Sequence, residues 1–189
     1  MKKRVFIIHG WGAVAKNHWF PWLKKELELH GYEVSLPDMP NTNYPRKELW
    51  LPKLASLVGT PDELTYFVGH SIGCNAILRY LESLGGVKVG GAVLVAPYYG
   101  DVPEAIGEEK EIADPWLHTR IDFSKVKKTT NNFVAIFSDN DDSVPIKNKD
   151  YFKTALTPHI IVEHDKGHFN EGEGVTELPS ALNAILSFS

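Results

Sequence analysis

Six short runs of apolar residues recur along the chain. They lie at residues 5–8, 32–36, 66–68, 91–96, 133–137 and 159–162. Strands of a parallel sheet are covered by helices on both faces, so they read as continuous apolar runs rather than as alternating patterns. The pattern therefore predicts six buried, mostly parallel strands.

Segments in which apolar residues recur with a helical period lie between most of these runs. Five such segments cover residues 18–30, 46–58, 75–84, 145–156 and 175–188. The first carries Trp19 and Trp22 among charged residues, and the second carries Trp50. We interpret tryptophans at this spacing as packing residues of amphipathic helices.

Alternating strands and helices predict an α/β fold with a doubly wound, mostly parallel six-stranded sheet and helices on both faces. The 189 residues suffice for one domain, which we expect to span residues 1–189. Ligands bind at the carboxyl ends of the strands in such sheets. The irregular stretch at residues 97–130, which is rich in glycine, proline and charge, is expected to form at most a small cap there.

Charge and composition exclude several classes of function. The net charge of −4 and the pI near 6.1 come without blocks of like charge, so neither nucleic acid nor an anionic membrane is an expected partner. No apolar run approaches the ~18 residues of a membrane span, and the apolar run at residues 5–8 is well short of the ~7–15 of a secretory signal. The single cysteine, Cys74, excludes an internal disulfide and makes the cytoplasm the expected location.

The pentapeptide Gly69-His70-Ser71-Ile72-Gly73 stands between an apolar run and a helical segment. A strand, a sharp turn and a helix around Gly-x-Ser-x-Gly form the context of a nucleophile elbow, in which the serine is strained and the glycines permit close packing. Ser71 is therefore the first candidate for chemistry. We interpret the neighbouring His70 and Cys74 as packing residues.

A serine nucleophile needs a base, and the base needs a carboxylate that orients it. In hydrolases with such an elbow the chain order is serine, acid, histidine. Asp139 and Asp141 follow the apolar run at 133–137, and His164 and His168 follow the run at 159–162. His168 comes after a glycine in an irregular loop and is the favoured base, whereas His164 is interpreted as structural. Both carboxylates remain candidates for the acid.

The acidic loop has an alternative interpretation as a calcium site. Asp139, Asp141, Ser143 and Asp150 fall at offsets 1, 3, 5 and 12 of an EF-hand loop. The sixth position requires glycine but holds Val144, and no flanking pair of helices is evident. We therefore predict no metal and no cofactor.

Acyl transfer also requires N–H donors for the oxyanion. The N–H of Ile72 follows the nucleophile, and the N–H of Trp11 lies in the glycine-rich loop His9-Gly10-Trp11-Gly12 after the first strand, so these two are the predicted donors. Side chains near the strand ends are candidates for the substrate pocket. They are His9, Trp11, Tyr98, Tyr99 and Trp116, with His18 as a further possibility.

The sequence resembles the small serine hydrolases typified by retinoblastoma-binding protein 9 and the bacterial YdeN proteins, in the α/β-hydrolase superfamily. The resemblance covers nearly the whole chain. It is carried by residues 22–28, Met39-Pro40 with Trp50-Leu51-Pro52, the elbow at 69–73, Asp141 ahead of Pro145, and Gly167-His168-Phe169. It implies a compact hydrolase with minimal or no lid. It also implies a triad of Ser71, Asp141 and His168, because the family places its acid in an Asp-x-x-Val-Pro loop, and this favours Asp141 over Asp139.

The expected function is that of a serine hydrolase that acts on a small ester or amide through an acyl-enzyme intermediate. The alternative is a protein-binding module that retains the fold, as the name of one relative suggests. A scaffold has no physical need for Ser71, Asp141, His168 and two backbone donors together, so the enzyme is favoured. The sequence offers no feature that supports a protein partner.

Overall fold

Six strands form one parallel sheet in the computed structural model, which describes residues 2–99 and 107–188. The strands are β1 (Arg4–Ile8), β2 (Glu33–Ser35), β3 (Thr65–His70), β4 (Gly91–Val95), β5 (Phe133–Ser138) and β6 (His159–Glu163). Their order is β2-β1-β3-β4-β5-β6, and every neighbouring pair is parallel. The predicted sheet of six parallel strands is confirmed, but the edge strands β2 and β6 are only partly buried, because each has a neighbouring strand on one side alone.

The direction of the strand order reverses between β1 and β3. The chain passes from β1 outward to β2, returns to β3 on the other side of β1, and then adds strands in that direction. The register pairs Ile8 with Gly69, so the loop at residues 9–12 and the turn at Ser71 leave the sheet side by side. This is the reversal point at which open α/β sheets bind ligands.

Seven helices surround the sheet in the described part of the chain. They are α1 (Phe20–Leu29), α2 (Lys47–Val58), α3 (Ile72–Ser83), α4 (Glu108–Leu117), α5 (Phe123–Lys127), α6 (Asn148–Ala155) and α7 (Pro179–Ser187). Helix α1 contacts α7, whereas α3 contacts α2 and α5. Trp19 and Trp50 are fully buried, as expected of packing residues. None of the described helices is long and apolar enough to cross a membrane.

Helix boundaries differ from the apolar pattern where small residues or turns interrupt it. Helix α3 begins at Ile72, directly after Ser71, rather than at residue 75. Gly73 lies in the first turn of this helix, where it interrupts the apolar repeat but lets the helix pack closely against the backbone of β1. Helix α6 begins at Asn148 rather than 145. The Asn148 N–H bonds the carbonyl of Pro145, which makes a tight turn before the helix.

The stretch at residues 97–130 contains α4 and α5, and its residues 100–106 lie outside the described part of the chain. The C-terminus of α4 is anchored by Arg79, whose buried guanidinium donates to the carbonyls of Trp116 and Thr119, both at 2.7 Å. A cation at this end of a helix also opposes the negative end of the helix dipole. Helix α4 is thereby held beside the carboxyl ends of the strands.

Candidate active site

Ser71 occupies a sharp turn between β3 and α3, as the sequence predicts. Its backbone has φ 53° and ψ −121°. A positive φ is rare for residues other than glycine, and such strain concentrates at functional sites. The Ser71 N–H donates to the Val95 carbonyl at 2.9 Å, which ties the turn to β4. The turn presents Ser71 to a pocket at the carboxyl edge of the sheet.

The two glycines of the turn allow α3 to pass very close to its neighbours. A Cβ atom on Gly73 would lie 2.3 Å from the Ile8 carbonyl oxygen and 2.6 Å from that of His9. A Cβ atom on Gly69 would lie 2.8 Å from the Cys74 Cα. These contacts are too short for any side chain, so the sequence of the turn is dictated by backbone packing.

His168 and Asp141 form the predicted pair. The Nδ1 atom of His168 lies 2.9 Å from Oδ2 of Asp141 and 3.1 Å from Oδ1. The Asp141 side chain is almost fully buried, and its Oδ1 also accepts the N–H groups of Ser143 and Val144 at 2.9 and 2.8 Å. Because the carboxylate accepts from Nδ1, the Nε2 atom of His168 is left to accept a proton from another group.

Ser71 and His168 line the same pocket. The Ser71 hydroxyl has no protein hydrogen bond among the described residues, so their common position in the pocket is what relates the two side chains. In enzymes without substrate the contact between nucleophile and base is often long and tightens only in the complex. The arrangement therefore has the order of serine, histidine and carboxylate that nucleophilic catalysis requires.

Asp139 has a different partner. Its carboxylate contacts Nδ1 of His164 at 2.5 Å and accepts the Asp165 N–H at 3.1 Å. The hydrogen bond with His164 lowers the pKa of Asp139 and raises the pKa of His164. Both side chains are substantially exposed. The pair therefore joins two surface loops, in keeping with the structural interpretation of His164.

Neighbours of Asp139 also fix the loop that carries His168. The Lys166 N–H donates to the Ser138 hydroxyl oxygen at 3.1 Å, and the Gly167 N–H donates to the Asn140 side-chain oxygen at 2.8 Å. Polar side chains at the end of β5 and directly after it thus accept hydrogen bonds from backbone N–H groups after β6. Asp141 therefore contacts the imidazole of His168, while Ser138 and Asn140 hold the backbone of the loop that carries His168.

A buried histidine orients the loop after β1. The Met39 N–H donates to Nε2 of His9 at 2.9 Å, so Nδ1 carries the ring proton and donates to the Gly10 carbonyl at 2.8 Å. Since a peptide is planar and trans, the Trp11 N–H points away from that carbonyl. Neither this N–H nor that of Ile72 has an acceptor among the described residues, and both residues line the pocket.

The pocket has a volume of about 750 Å³. Its walls come from the loop after β1, the elbow, the loops after β4, β5 and β6, and helix α4. Trp11 and Tyr98 line it as predicted, and so does His18. Helix α4 contributes Glu109, Ala113 and Leu117, so this helix covers one side of the pocket as a small cap does.

Three predicted pocket residues lie elsewhere. His9 is fully buried by the hydrogen bonds that orient its loop. Tyr99 stacks on Tyr151 with ring centroids 4.5 Å apart and is not among the residues that line the pocket. Trp116 is 1% exposed and donates from its indole to the Pro45 carbonyl at 2.8 Å. Each prediction was wrong because a polar group of the ring, or its flat face, found a partner inside the protein.

The pocket also contains Glu171, which the sequence did not single out, beside His18. His18 and Glu171 bind each other reciprocally, because the His18 N–H donates to the Glu171 carboxylate and the Glu171 N–H donates to Nδ1 of His18, both at 3.1 Å. Burial lowers the pKa of His18. A sequence signal existed for this loop, since Asn170 and Glu173 form a capping box around the turn at Glu171–Glu173.

The charged groups of the pocket are all acidic. Glu109, Asp142 and Glu171 line it, and no lysine or arginine does so in the part of the chain that the structure describes. No group of three or more His, Cys, Asp or Glu residues suited to a metal occurs within residues 2–99 and 107–188. Two carboxylates of the alternative calcium interpretation contact histidines: Asp139 contacts His164, and Asp141 contacts His168.

A family model described as serine hydrolase matches residues 5–187. The chain belongs to the serine hydrolase family. It is 38% identical to the protein YdeN of Bacillus subtilis (strain 168) over 190 aligned positions, which cover 100% of this chain and 97% of YdeN. It is also 29% identical to serine hydrolase RBBP9 of Rattus norvegicus, with 87% of this chain and 85% of RBBP9 covered.

A comparison with solved structures gives the same result. The crystal structure of the B. subtilis ydeN gene product matches with a TM-score of 0.91 and 35% identity, and the match covers 99% of this chain and 98% of that one. The fold is that of the α/β hydrolases, and this serine hydrolase is an enzyme. The alternative of a binding module without activity is therefore not supported.

The packing at the elbow leads to a prediction on stability. Replacing Gly73 with Ala should lower the free energy of unfolding by more than about 3 kcal/mol, because backbone atoms of β1 and its loop would have to move. Gly85→Ala is the matched control, since Gly85 has φ +62° but open space around it and should cost only about 1–2 kcal/mol. Urea unfolding followed by circular dichroism measures both. Equal losses in the two variants would contradict the packing argument.

Proposed function

We propose that this serine hydrolase cleaves small carboxylic esters or amides, with Ser71 as nucleophile, His168 as general base and acid, and Asp141 as the carboxylate that orients His168. The observation that carries the proposal is the buried hydrogen bond between Asp141 and His168 in the pocket that also exposes the strained Ser71. Buried polar groups persist where they are paired, and this pair leaves only Nε2 of the imidazole for chemistry.

The first half of the reaction forms an acyl-enzyme. Oγ of Ser71 attacks the substrate carbonyl carbon while its proton passes to Nε2 of His168, and the Asp141 carboxylate stabilises the imidazolium. The negative charge that develops on the carbonyl oxygen is stabilised by the N–H groups of Trp11 and Ile72, which lack protein acceptors in the described structure. The imidazolium then returns its proton to the leaving alcohol or amine as the acyl bond to that group breaks.

The second half of the reaction releases the acid. Water attacks the acyl carbon and gives a proton to Nε2 of His168, and the ester bond to Ser71 breaks as that proton passes back to Oγ. Because the groups that line the described pocket carry negative charge, substrates are expected to be uncharged or cationic near the scissile bond. The single buried cysteine keeps the cytoplasm as the predicted location.

Removing the nucleophile or the base should nearly abolish turnover. Ser71→Ala and His168→Ala are each expected to lower kcat on an activated short-chain ester by at least ~10³, with the fold unchanged. Ser83→Ala is the control, because the Ser83 hydroxyl bonds a carbonyl inside α3. A fluorophosphonate probe should modify Ser71. Full activity in Ser71→Ala, or modification of another serine, would rule the proposal out.

The two carboxylates should behave differently. Asp141→Asn is expected to lower kcat by up to roughly 10⁴, because the amide no longer selects the tautomer with the proton on Nδ1. Asp139→Asn should mainly lower stability, since it weakens the pair with His164 while leaving the imidazole of His168 untouched. Steady-state kinetics with circular dichroism on both variants decide the matter. A severe loss of kcat confined to Asp139→Asn would identify Asp139 as the acid.

Activity should not depend on a metal. The proposed nucleophile, base and backbone donors supply proton transfer and charge stabilisation, so dialysis against EDTA is expected to leave kcat within experimental error of a sample dialysed in buffer alone. Activity that is lost to EDTA and restored by calcium would show instead that the acidic loop after β5 binds the metal.

A further inference from the structure

His70, the residue before the proposed nucleophile, makes a specific contact with the backbone of the proposed base. Its ring is 3% exposed, and Nε2 lies 2.8 Å from the His168 carbonyl oxygen. A carbonyl oxygen can only accept a hydrogen bond, so Nε2 carries the proton and donates it. The other nitrogen, Nδ1, is buried without a partner. The ring is therefore used for one hydrogen bond, which the interpretation of His70 as a packing residue missed.

The surroundings of the ring keep it neutral. Burial, and then the proximity of the His168 imidazole, lower the pKa of His70 well below that of an exposed histidine. The ring centroids of His70 and His168 are 4.9 Å apart. A neutral ring at this distance does not repel the imidazolium that forms on His168 during the proposed reaction. It also cannot compete for the Ser71 proton, because its one basic nitrogen is enclosed.

The loop that receives this hydrogen bond is under strain. Asp165, Gly167 and Phe169 have φ of 53°, 49° and 55°, and a positive φ costs a residue other than glycine about 1–2 kcal/mol. The loop keeps this conformation because its polar groups are held from outside. A second ring takes part, since the Trp19 indole donates to the Phe169 carbonyl at 3.1 Å. Two consecutive carbonyls are thus held by two ring N–H groups.

The His70 hydrogen bond has a particular position in this arrangement. His70 is covalently joined to Ser71, and it is hydrogen-bonded to the main chain of His168. This is a direct connection between the elbow and the loop that holds the base, whereas the Trp19 hydrogen bond comes from the loop before α1. The His70 ring therefore links the segment that carries Ser71 to the segment that carries His168.

We propose that His70 is a positioning residue that sets the distance between the Ser71 hydroxyl and the His168 imidazole through its Nε2–H···O=C hydrogen bond. The inference rests on the proposed function of Ser71 and His168. Misplacement of reacting groups by about 1 Å can cost roughly 10² in rate. Loss of this one donor is therefore expected to affect the chemical step rather than substrate binding.

Two substitutions separate the donor from the ring. His70→Phe keeps a flat ring in the aromatic cluster but has no donor, whereas His70→Gln places an amide N–H near the position of Nε2. His70→Phe should lower kcat by about 10–100-fold with KM changed less than about threefold, and should slow fluorophosphonate labelling to a similar extent. His70→Gln should recover kcat to within about fivefold of wild type. Phe20→Leu is the packing control, because Phe20 contacts the same ring without touching the hydrogen bond, and it should lower Tm without lowering kcat.

Three results would overturn the inference: an unchanged kcat in His70→Phe, a Gln variant no more active than the Phe variant, or an equal loss of kcat in Phe20→Leu.

If His70→Phe does not fold, nitrogen-15 NMR of histidine-labelled wild-type protein decides. A proton on Nε2 of His70 and a bare Nδ1 from pH 5 to 9 support the inference, whereas a proton on Nδ1 contradicts it. An active Ser71→Ala variant would instead show that the proposed function fails, which keeps the two failures distinct.

Discussion

The close passage of α3 beside the end of β1 is the constraint on which the site depends. Only a residue without a side chain can stand at position 73, where a Cβ atom would meet two consecutive carbonyl oxygens. This approach forces the turn at Ser71 to be sharp and gives it a positive φ. It also brings the N-terminus of α3 next to the loop after β1. In the proposed reaction, the N–H groups of Trp11 and Ile72 donate to one substrate oxygen from these two neighbouring segments.

Hydrogen bonds from neighbouring segments hold the loop that carries His168. Side chains after β5 hold the backbone after β6, and two rings from other loops hold its next two carbonyls. Hydrogen bonds to the His168 loop thus come from three other segments, while His168 itself lines the pocket. A loop with strained backbone angles needs such support, because without these hydrogen bonds its residues would adopt more favourable backbone angles. The cost of the strain is distributed over many contacts that do not touch substrate.

The fold and the central residues of the site could be predicted because they leave strong local patterns. Continuous apolar runs identified all six strands, and the ends of those strands indicated Ser71 and His168 together with two candidate carboxylates, Asp139 and Asp141. The choice of Asp141 came from the resemblance to a known family. The pocket walls were harder to predict, since the stacking of Tyr99 on Tyr151 and the hydrogen bond from Trp116 to the Pro45 carbonyl join residues distant in sequence. The roles of His9 and His70 depend on hydrogen bonds to carbonyls distant in sequence, and a single sequence does not reveal such pairs.

The central claim is that this backbone approach creates an oxyanion site above Ser71, and a crystal structure of the enzyme inactivated by a phosphonate tests it most directly. The account predicts phosphorus bonded to Oγ of Ser71 and a phosphoryl oxygen within about 3 Å of both the Trp11 and the Ile72 nitrogen atoms. A phosphoryl oxygen that points to solvent, or one that contacts neither N–H, would contradict it.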